Sequence, residues 1–166
     1  MGYEPFVIWS KDMKVEEPED LRSLLRRASR MAGRHYRAQL ARFDLSASQA
    51  TALLFLNDRD GSTLRELADA VSADLATASA LVDRLMSMGL IVRETDPADR
   101  RRARLLLSEA ATDLLAPLAE ATRETNAMLV NALGQKRSAE LASVLTELIE
   151  AVAEAAAAAK KDEGAA

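Results

Sequence analysis

The sequence predicts a mainly α-helical fold with one small β-hairpin. Residues 64–71 and 75–88 have helical apolar spacing and are separated by a short polar break. β-prone runs at 90–93 and 105–107 flank a loop that begins with a turn-forming Asp-Pro pair at 96–97. Two helices joined by a tight turn and followed by a hairpin are typical of a winged helix-turn-helix. In that arrangement one helix enters the major groove of DNA and the hairpin, or wing, lies beside it.

Size and composition favour helices. The chain has 166 residues, the length of one domain or of one domain with appended helices, and 49% of them are apolar. Aromatic residues make up only 4%, while alanine and leucine are abundant, which favours helices over a β-sandwich. The absence of cysteine excludes a disulfide framework, a thiol redox switch and a cysteine metal site, and one histidine argues against a histidine-based zinc site. We therefore expect no metal and no cofactor.

The sequence also lacks membrane and export signals. No apolar run approaches the roughly 20 residues that a membrane helix needs. The N-terminus has neither the basic start nor the apolar centre of a signal peptide, and Phe6 stands where the myristoylation pattern requires serine or threonine. We expect a cytoplasmic protein that does not bind a membrane.

The first part of the chain is predicted to form an N-terminal arm over residues 1–17 and a dimerisation helix within residues 18–45. Pro18 suits the first turn of a helix, and the acidic residues around it suit the positive end of the helix dipole. Apolar residues then recur at three- and four-residue spacing, which predicts an amphipathic helix of about 25 residues. Arginines fill much of the other face, at positions 22, 26, 30, 34 and 37.

The next three helices have recognisable starts. Ser46 with Gln49, and Thr63 with Glu66, have the spacing of capping boxes, in which a hydroxyl and a longer side chain satisfy each other's backbone N–H groups. Asp74 is the expected N-cap of the helix that follows the polar break.

The winged helix-turn-helix lobe is assigned to residues 46–108, and two C-terminal dimerisation helices to residues 109–160. Ser108 is the expected cap of the first of these helices, and Gly134 separates it from the second. Residues 161–166 are expected to form a disordered tail. Because the long helices at both ends carry apolar stripes, we expect a homodimer in which the terminal helices of two chains intertwine.

Charge is unevenly distributed along the chain. The formal net charge is −4, but residues 1–104 hold 17 basic and 16 acidic residues, whereas residues 105–166 hold 5 and 10. From Leu21 to Phe43 there are seven arginines and no acidic residue. A local basic surface, rather than a basic total, is what contacts to DNA phosphates require.

Several short motifs follow one another at characteristic spacings. They are Leu81-Val82-Asp83-Arg84-Leu85, Gly89-Leu90-Ile91-Val92-Arg93, Asp96-Pro97 with Asp99-Arg100-Arg101, and Leu105, Leu107 and Ser108. With these motifs the chain resembles the MarR family of winged-helix regulators over roughly residues 21–133, and the last helix agrees in length and position. Ser108 stands where the family commonly has threonine, which is a conservative difference. The resemblance implies a homodimer that binds a pseudo-palindromic operator, usually as a repressor, and that is often released by a small anionic or phenolic ligand.

The arginine-rich loop is the strongest candidate for DNA contact. The resemblance makes Arg101 the wing-tip arginine and Asp99 its positioner. A carboxylate two residues earlier can hold the guanidinium by a charge-assisted bond and present it to a narrow minor groove. Arg100, Arg102 and Arg104 are expected to neutralise phosphates, which gives salt-dependent affinity rather than sequence preference. The alternative is a solvated charged turn.

The candidate recognition helix presents small and apolar residues. By resemblance its outward positions are Leu75, Ala76, Thr77, Ser79 and Ala80. The hydroxyls can bond base edges or phosphates and the alanines can contact thymine methyl groups, but none of these residues makes the bidentate guanine contact of an arginine. Family members usually have more polar or cationic residues here. In this chain we therefore expect the wing and the shape of the DNA to contribute more to specificity. The remaining candidate DNA contacts are Ser62, Thr63, Asp74 and Arg84, although a capping role alone explains Thr63, and Arg84 could instead pair with an acid.

A ligand site is expected where the family binds effectors, between the dimerisation helices and the DNA-binding lobe. The candidate ligand contacts are Trp9, Arg30, Arg34, His35 and Tyr36. His35 and Trp9 also have simpler explanations, because a lone histidine is more often a surface or packing residue and Trp9 could anchor the arm by packing on the dimer. The arm with its tryptophan looks like the extra N-terminal helix of a urate-responsive branch of the family.

Two other classes of function are alternatives to a DNA-binding regulator. The first is a winged-helix protein-interaction module without sequence-specific DNA binding, which the apolar recognition helix favours and the arginine-rich loop opposes. The second is an enzyme, which we do not expect. The sequence has no glycine-rich cofactor loop and no nucleophile–base pair beyond what one histidine could support.

Overall fold

The predicted order of helices and strands is confirmed. The computed structural model describes residues 20–97, 99–100 and 102–163. Its strands form a two-stranded antiparallel hairpin. The predicted N-terminal arm, including Trp9, lies outside the described residues, as do Arg101 at the wing tip and residues 164–166. The elements are α1 Leu21–Leu40, a 3₁₀ turn Ala41–Phe43, α2 Ala47–Asp58, α3 Leu64–Ala70, α4 Leu75–Ser87, β1 Ile91–Thr95, β2 Ala103–Leu107, α5 Glu109–Leu133 and α6 Gln135–Glu163.

The predicted starts of α2, α3 and α4 are also observed, whereas α1 begins later than the predicted start around Pro18, with Asp20 as its N-cap. The Ser46 hydroxyl accepts from the Gln49 backbone N–H at 3.2 Å, while Gln49 Oε1 accepts from the Ser46 N–H at 2.7 Å. Thr63 and Glu66 form the second capping box. The carboxylate of Asp74 accepts from the backbone N–H of Thr77 at 2.7 Å. Local side-chain hydrogen bonds therefore fix where α2, α3 and α4 begin.

Three details differ from the sequence-based expectations. The helix expected within 18–45 ends at Leu40, where a 3₁₀ turn and a left-handed Asp44 close it. Ser108 occupies the N-cap of α5, but its hydroxyl donates to the Gly89 carbonyl oxygen at 2.6 Å and makes no side-chain cap. Helix α6 continues to Glu163, so residues 161–163 of the expected disordered tail are helical.

The core lies between the lobe and the first half of α5. Fully buried leucines from α2, α3, α4 and β2 meet Leu118 of α5. The hairpin register pairs Ile91 with Leu107 and Arg93 with Leu105, so these four side chains share one face of the hairpin. Of these, Ile91 and Leu105 are buried, and this face therefore packs against the helices.

The segment before α3 is joined to the hairpin by an isolated β-bridge between Ser62 and Leu105. The Gly61 N–H donates to the Leu105 carbonyl at 3.1 Å, and the Leu105 N–H donates to the Ser62 carbonyl at 2.8 Å. The side chain of Arg104 also turns to this segment, because its Nε donates to the Gly61 carbonyl at 3.2 Å. The wing is therefore fastened to the segment that follows α2.

The terminal helices leave many large apolar side chains in solvent. Helix α1 packs on α5 and α2, with Leu40 buried and the Tyr36 hydroxyl 3.2 Å from the Thr122 hydroxyl. Among the described residues, no helix is long and apolar enough to cross a membrane. The exposed apolar residues of the terminal helices are Leu21, Leu24, Leu25, Met31, Met128, Leu129, Leu133, Leu141, Val144, Ile149 and Val152.

Candidate nucleic-acid interface

A surface groove of about 380 Å³ runs between the N-terminal ends of α3 and α4 and the wing. It brings together residues that lie up to 42 positions apart, from Thr63 to Leu105. Three arginines contribute to its wall, one from α3, one from β1 and one from the loop before β2. The lining residues are Thr63, Leu64, Arg65, Leu75, Ser79, Arg93, Arg102, Ala103 and Leu105.

At the start of α3, the predicted contacts Ser62 and Thr63 are engaged within the protein. Ser62 is buried, and its hydroxyl donates to the Arg59 carbonyl at 2.7 Å. The Thr63 hydroxyl donates to Glu66 Oε2 at 2.7 Å. The backbone N–H and hydroxyl of Thr63 lower the pKa of Glu66 below its usual value, and the charges of Arg59 and Arg102 add to the effect. These bonds hold Glu66 as an anion at the positive end of the α3 dipole.

Helix α4 presents its first two turns outward. Ala76, Thr77 and Ala80 are exposed, Ser79 is half-buried, and Ala78 faces the core. The N-cap Asp74 is held by the backbone N–H of Thr77, which lowers the pKa of its carboxyl below the usual value, and it therefore stays charged. Arg84 is also exposed, but it lies on the third turn of the helix.

The loop of the wing is closed by its own backbone. The Arg102 N–H donates to the Asp99 carbonyl at 2.8 Å, and the Asp96 N–H donates to the Arg102 carbonyl at 2.9 Å. Asp99 also lies near the guanidinium of Arg102, with Oδ2 3.7 Å from Nε. The predicted pairing of Asp99 with Arg101 remains a prediction, because Arg101 lies outside the described residues. Arg100 and Arg102 are exposed, as phosphate contacts need to be.

Arg104 has a structural role that the sequence did not indicate. Its guanidinium is half-buried against Gly61, and Gly61 adopts a left-handed φ of 76°. A Cβ added at Gly61 would lie 2.0 Å from Arg104 Nη2. Arg104 therefore holds the wing against the turn before α3, and its contact with a phosphate remains a prediction.

Sequence reasoning missed Arg65 and Arg93, which line the groove. The clustering of arginines in the loop of the wing predicts a basic surface there, but it does not indicate which face of the hairpin a single arginine such as Arg93 occupies. Strand alternation was the available signal, because Arg93 lies two residues after the buried Ile91 and so points to the same face. Arg65 had a weaker signal, as the second residue of a short helix with a capping box.

A second cavity lies where the ligand site was expected, between α1, α2 and α5. Its volume is about 520 Å³, and of the predicted ligand contacts it includes Tyr36. Arg30 and Arg34 line a separate surface groove on α1 with Arg27, Met31 and Arg37, and half-buried His35 lines neither. Within the described ranges, no group of three acidic or histidine side chains is placed to hold a metal ion. The cavity is lined by Ser29, Ala32, Gly33, Tyr36, Thr51, Leu54, Thr122, Thr125, Asn126 and Leu129.

Comparison with known proteins finds similarity to regulators of transcription. A family model described as the MarR family matches residues 43–102. The chain is 26% identical over 132 residues to the transcriptional repressor NicR of Pseudomonas putida, an alignment that covers 80% of this chain and 84% of NicR.

Two solved structures of protein–DNA complexes are similar to this chain. The S. aureus MepR–DNA complex is 25% identical with a TM-score of 0.74, covering 80% of this chain and 98% of MepR. The repressor CouR bound to a 23-mer duplex is 28% identical with a TM-score of 0.68, covering 78% of this chain and 92% of CouR.

Proposed function

We propose that this chain is a member of the MarR family of winged helix-turn-helix transcriptional regulators and acts as a homodimeric repressor of transcription. It binds a pseudo-palindromic operator in double-stranded DNA and is released by a small anionic or phenolic ligand. The observation that carries the proposal is the groove in which α4 lies beside three arginines and the wing.

The groove has the charge and shape that a duplex requires. Arg65, Arg93 and Arg102 come from three different elements, yet all line the groove that also contains Leu75 and Ser79 of α4. A helix laid in the major groove leaves phosphates on both of its sides, where arginines can bind them. Phosphate contacts fix the orientation of the protein on the duplex, and the face of α4 then contacts the base edges.

The similarity to MepR and CouR supports the same use of the surface, since both were solved bound to DNA. The coverage of this chain in each alignment includes most of its length, so the DNA-binding lobe and the long helices are compared together.

The homodimer is supported by the apolar surface of the terminal helices. Leu21 of α1, Val144, Ile149 and Val152 of α6 are all more than half exposed in the protomer. A contiguous apolar surface on a soluble protein marks an interaction site. A second copy of the chain would cover it by the predicted dimerisation segments, 18–45 and 109–160, and a two-fold dimer would match the symmetry of a pseudo-palindromic operator.

The effector site is supported by the cavity between α1, α2 and α5. Its volume of about 520 Å³ is suited to a small organic ligand. Hydroxyl and amide groups of Tyr36, Thr122 and Asn126 offer hydrogen bonds, and no side chain that lines it is charged. These uncharged groups suit the hydroxyl of a phenolic ligand, and the guanidinium of Arg37, which lies against Gly33 at the cavity wall, offers a cation to an anionic one.

The proposal is tested by titrating the DNA upstream of the chain's own coding region at several salt concentrations. We expect tight binding whose logarithm falls linearly with the logarithm of salt concentration. Arg93→Ala and Arg102→Ala should each weaken binding and lower that slope by about one, because each removes one phosphate contact. For Arg101→Ala we expect a loss of at least about tenfold, because by resemblance it enters the minor groove.

Lys136→Ala is the matched control, because it removes one positive charge from an exposed position on α6 that lies away from the apolar face of this helix. It should leave affinity and slope unchanged. Binding that shows no preference over random duplex, with all arginine variants unchanged, would favour the alternative of an interaction module that does not read DNA sequence.

A further inference from the structure

The exposed face at the start of α4 has few hydrogen-bonding side chains, namely the N-cap carboxylate of Asp74 and the hydroxyls of Thr77 and half-buried Ser79. Leu75 is 47% exposed, and Ala76 and Ala80 are exposed one turn apart on the outward side. Thr77 adds one hydroxyl and one methyl group. These residues occupy the helix positions from which a winged-helix protein reaches base edges.

The cations that accompany α4 lie elsewhere. Arg65, Arg93 and Arg102 line the groove at its side. The first basic residue of α4 itself is Arg84, four residues beyond Ala80 and therefore about 6 Å further along the helix axis. At the start of the helix stands the ionised carboxylate of Asp74, which can only accept hydrogen bonds.

This surface is poorly suited to guanine. In the major groove guanine presents two acceptors, N7 and O6, and its usual partner is a bidentate arginine or lysine. The methyl groups of Ala76 and Ala80 would remove water from those acceptors without replacing the hydrogen bonds, which is costly. Thymine differs from the other bases because it presents an apolar C5 methyl group in the major groove.

On the basis of the proposed function, we infer that α4 recognises its operator through thymine methyl groups, with Ala76 and Ala80 as the residues that determine specificity. Leu75 and the methyl group of Thr77 extend the same apolar contact. Each operator half-site then carries A·T pairs beneath the first two turns of α4. Affinity comes from the arginines of the groove, while base preference comes from the apolar helix.

The test begins with selection of tightly bound duplexes from a random pool by the full-length protein. Thymines of the selected half-site are then replaced one at a time by deoxyuridine, which lacks the C5 methyl group. This change leaves the Watson–Crick and minor-groove edges intact, so contacts made by the wing are unaffected. Each contacted methyl group should be worth about fourfold in affinity, the value expected for removing one methyl group from water.

Variants of α4 connect the effect to particular side chains. Ala80→Ser adds a hydroxyl at an exposed position with little change in volume, so folding should be maintained. It should bind thymine and deoxyuridine duplexes with nearly equal affinity at the base pair that Ala80 contacts. Ser87→Ala is the control, because Ser87 is exposed on the same helix about 16 Å along its axis from Ala76. This variant should keep the full preference for thymine.

The possible results separate this inference from the proposed function. A protein that selects no duplex from the pool would refute the proposed function and this inference with it. A selected duplex with G·C pairs at the half-site positions beneath α4, or one that keeps its affinity in the deoxyuridine form, would refute the inference and leave the regulator intact.

Discussion

The lobe and the terminal helices use the same kind of residue in opposite ways. In the lobe, Leu53, Leu67 and Leu85 are completely buried. In α6, the aliphatic residues Ile149 and Val152 remain 68% and 59% exposed. The lobe therefore completes its core within one chain, whereas the apolar side chains of the terminal helices are left exposed and would be covered by a second chain in the proposed dimer. Apolar spacing along a helix indicates which face is buried but does not indicate whether the covering surface belongs to the same chain.

The largest effect is expected from substitutions that disrupt the proposed dimer contact of the terminal helices and leave the lobe folded. Ile149→Asp combined with Val152→Asp should leave the lobe folded, because both side chains are mainly in solvent in the protomer. The variant should sediment as a monomer and lose about a hundredfold or more in operator affinity, since two linked half-site contacts become one.

Ala139→Asp is the control for added charge, because Ala139 is an exposed residue of α6 that lies away from this apolar face. It should remain dimeric. Wild-type protein that sediments as a monomer at micromolar concentration would contradict the dimer itself.

The next largest effect is expected from a substitution that destabilises the core of the lobe. Leu67→Ala removes a fully buried side chain and should lower the free energy of unfolding by about 2–5 kcal/mol in urea denaturation. In the monomeric background, Leu24→Ala on α1 should change it by only about 0.5 kcal/mol, because Leu24 is already exposed there. Equal losses at the two leucines would mean that α1 has a covering surface within its own chain.

A smaller loss of stability is expected when one glycine from each region is replaced by alanine. Gly61 and Gly134 both have positive φ, of 76° and 81°, and Gly134 has a ψ of 153°, so alanine should be strained at either position by about 1–3 kcal/mol. An added Cβ meets Arg104 at Gly61 and nothing within 4 Å at Gly134. Thermal denaturation should therefore show a larger loss for Gly61→Ala than for Gly134→Ala.

The same comparison has an internal control. In an Arg104→Ala background the difference between the two glycine substitutions should shrink, because the contact between the added Cβ and the guanidinium is gone. A difference that persisted undiminished in this background would show that the contact of Arg104 with the turn does not explain it.

The smallest effect concerns pH and the start of α4. The pKa of Asp74 is lowered from its ordinary value of 3.8 by the Thr77 N–H, so the bond stabilises the fold above the unfolded pKa and is lost as pH falls through the folded pKa. Asp74→Asn keeps an acceptor at the N-cap but removes the charge. Its urea midpoint should change less than that of wild type between pH 7 and pH 3.

Asp83→Asn, at an exposed position of the same helix, provides the control for loss of one carboxylate. It should retain the acid sensitivity of wild type. An acid response that is the same in Asp74→Asn and wild type would show that the N-cap charge does not contribute.

The sequence was informative wherever the decisive contact is local. Thr63 with Glu66, and Asp74 with Thr77, lie three residues apart, so their hydrogen bonds follow from spacing alone. Ser108 shows the limit of this reasoning, because its partner, the Gly89 carbonyl, lies 19 residues away and meets it only in the folded chain.

The candidate site shows the same division. Clustering identified the basic loop, and the short β-prone runs identified the hairpin. The roles of Arg93 and Arg104 depend on register: Arg93 shares a face with Leu105, while Arg104 points to the other face and reaches Gly61. The groove that joins Arg65 to Arg93 depends on how α3 packs against the wing, which no local pattern encodes.

The pairing of residues 61 and 62 with Leu105 has a mechanical consequence. Thr51 and Leu54 of α2 line the cavity, and the segment just after α2 is hydrogen-bonded to β2 at the base of the wing. We therefore expect a small tilt of α2 at the cavity to be transmitted through this β-bridge to the hairpin and to displace the exposed side chains of Arg100 and Arg102 relative to α4.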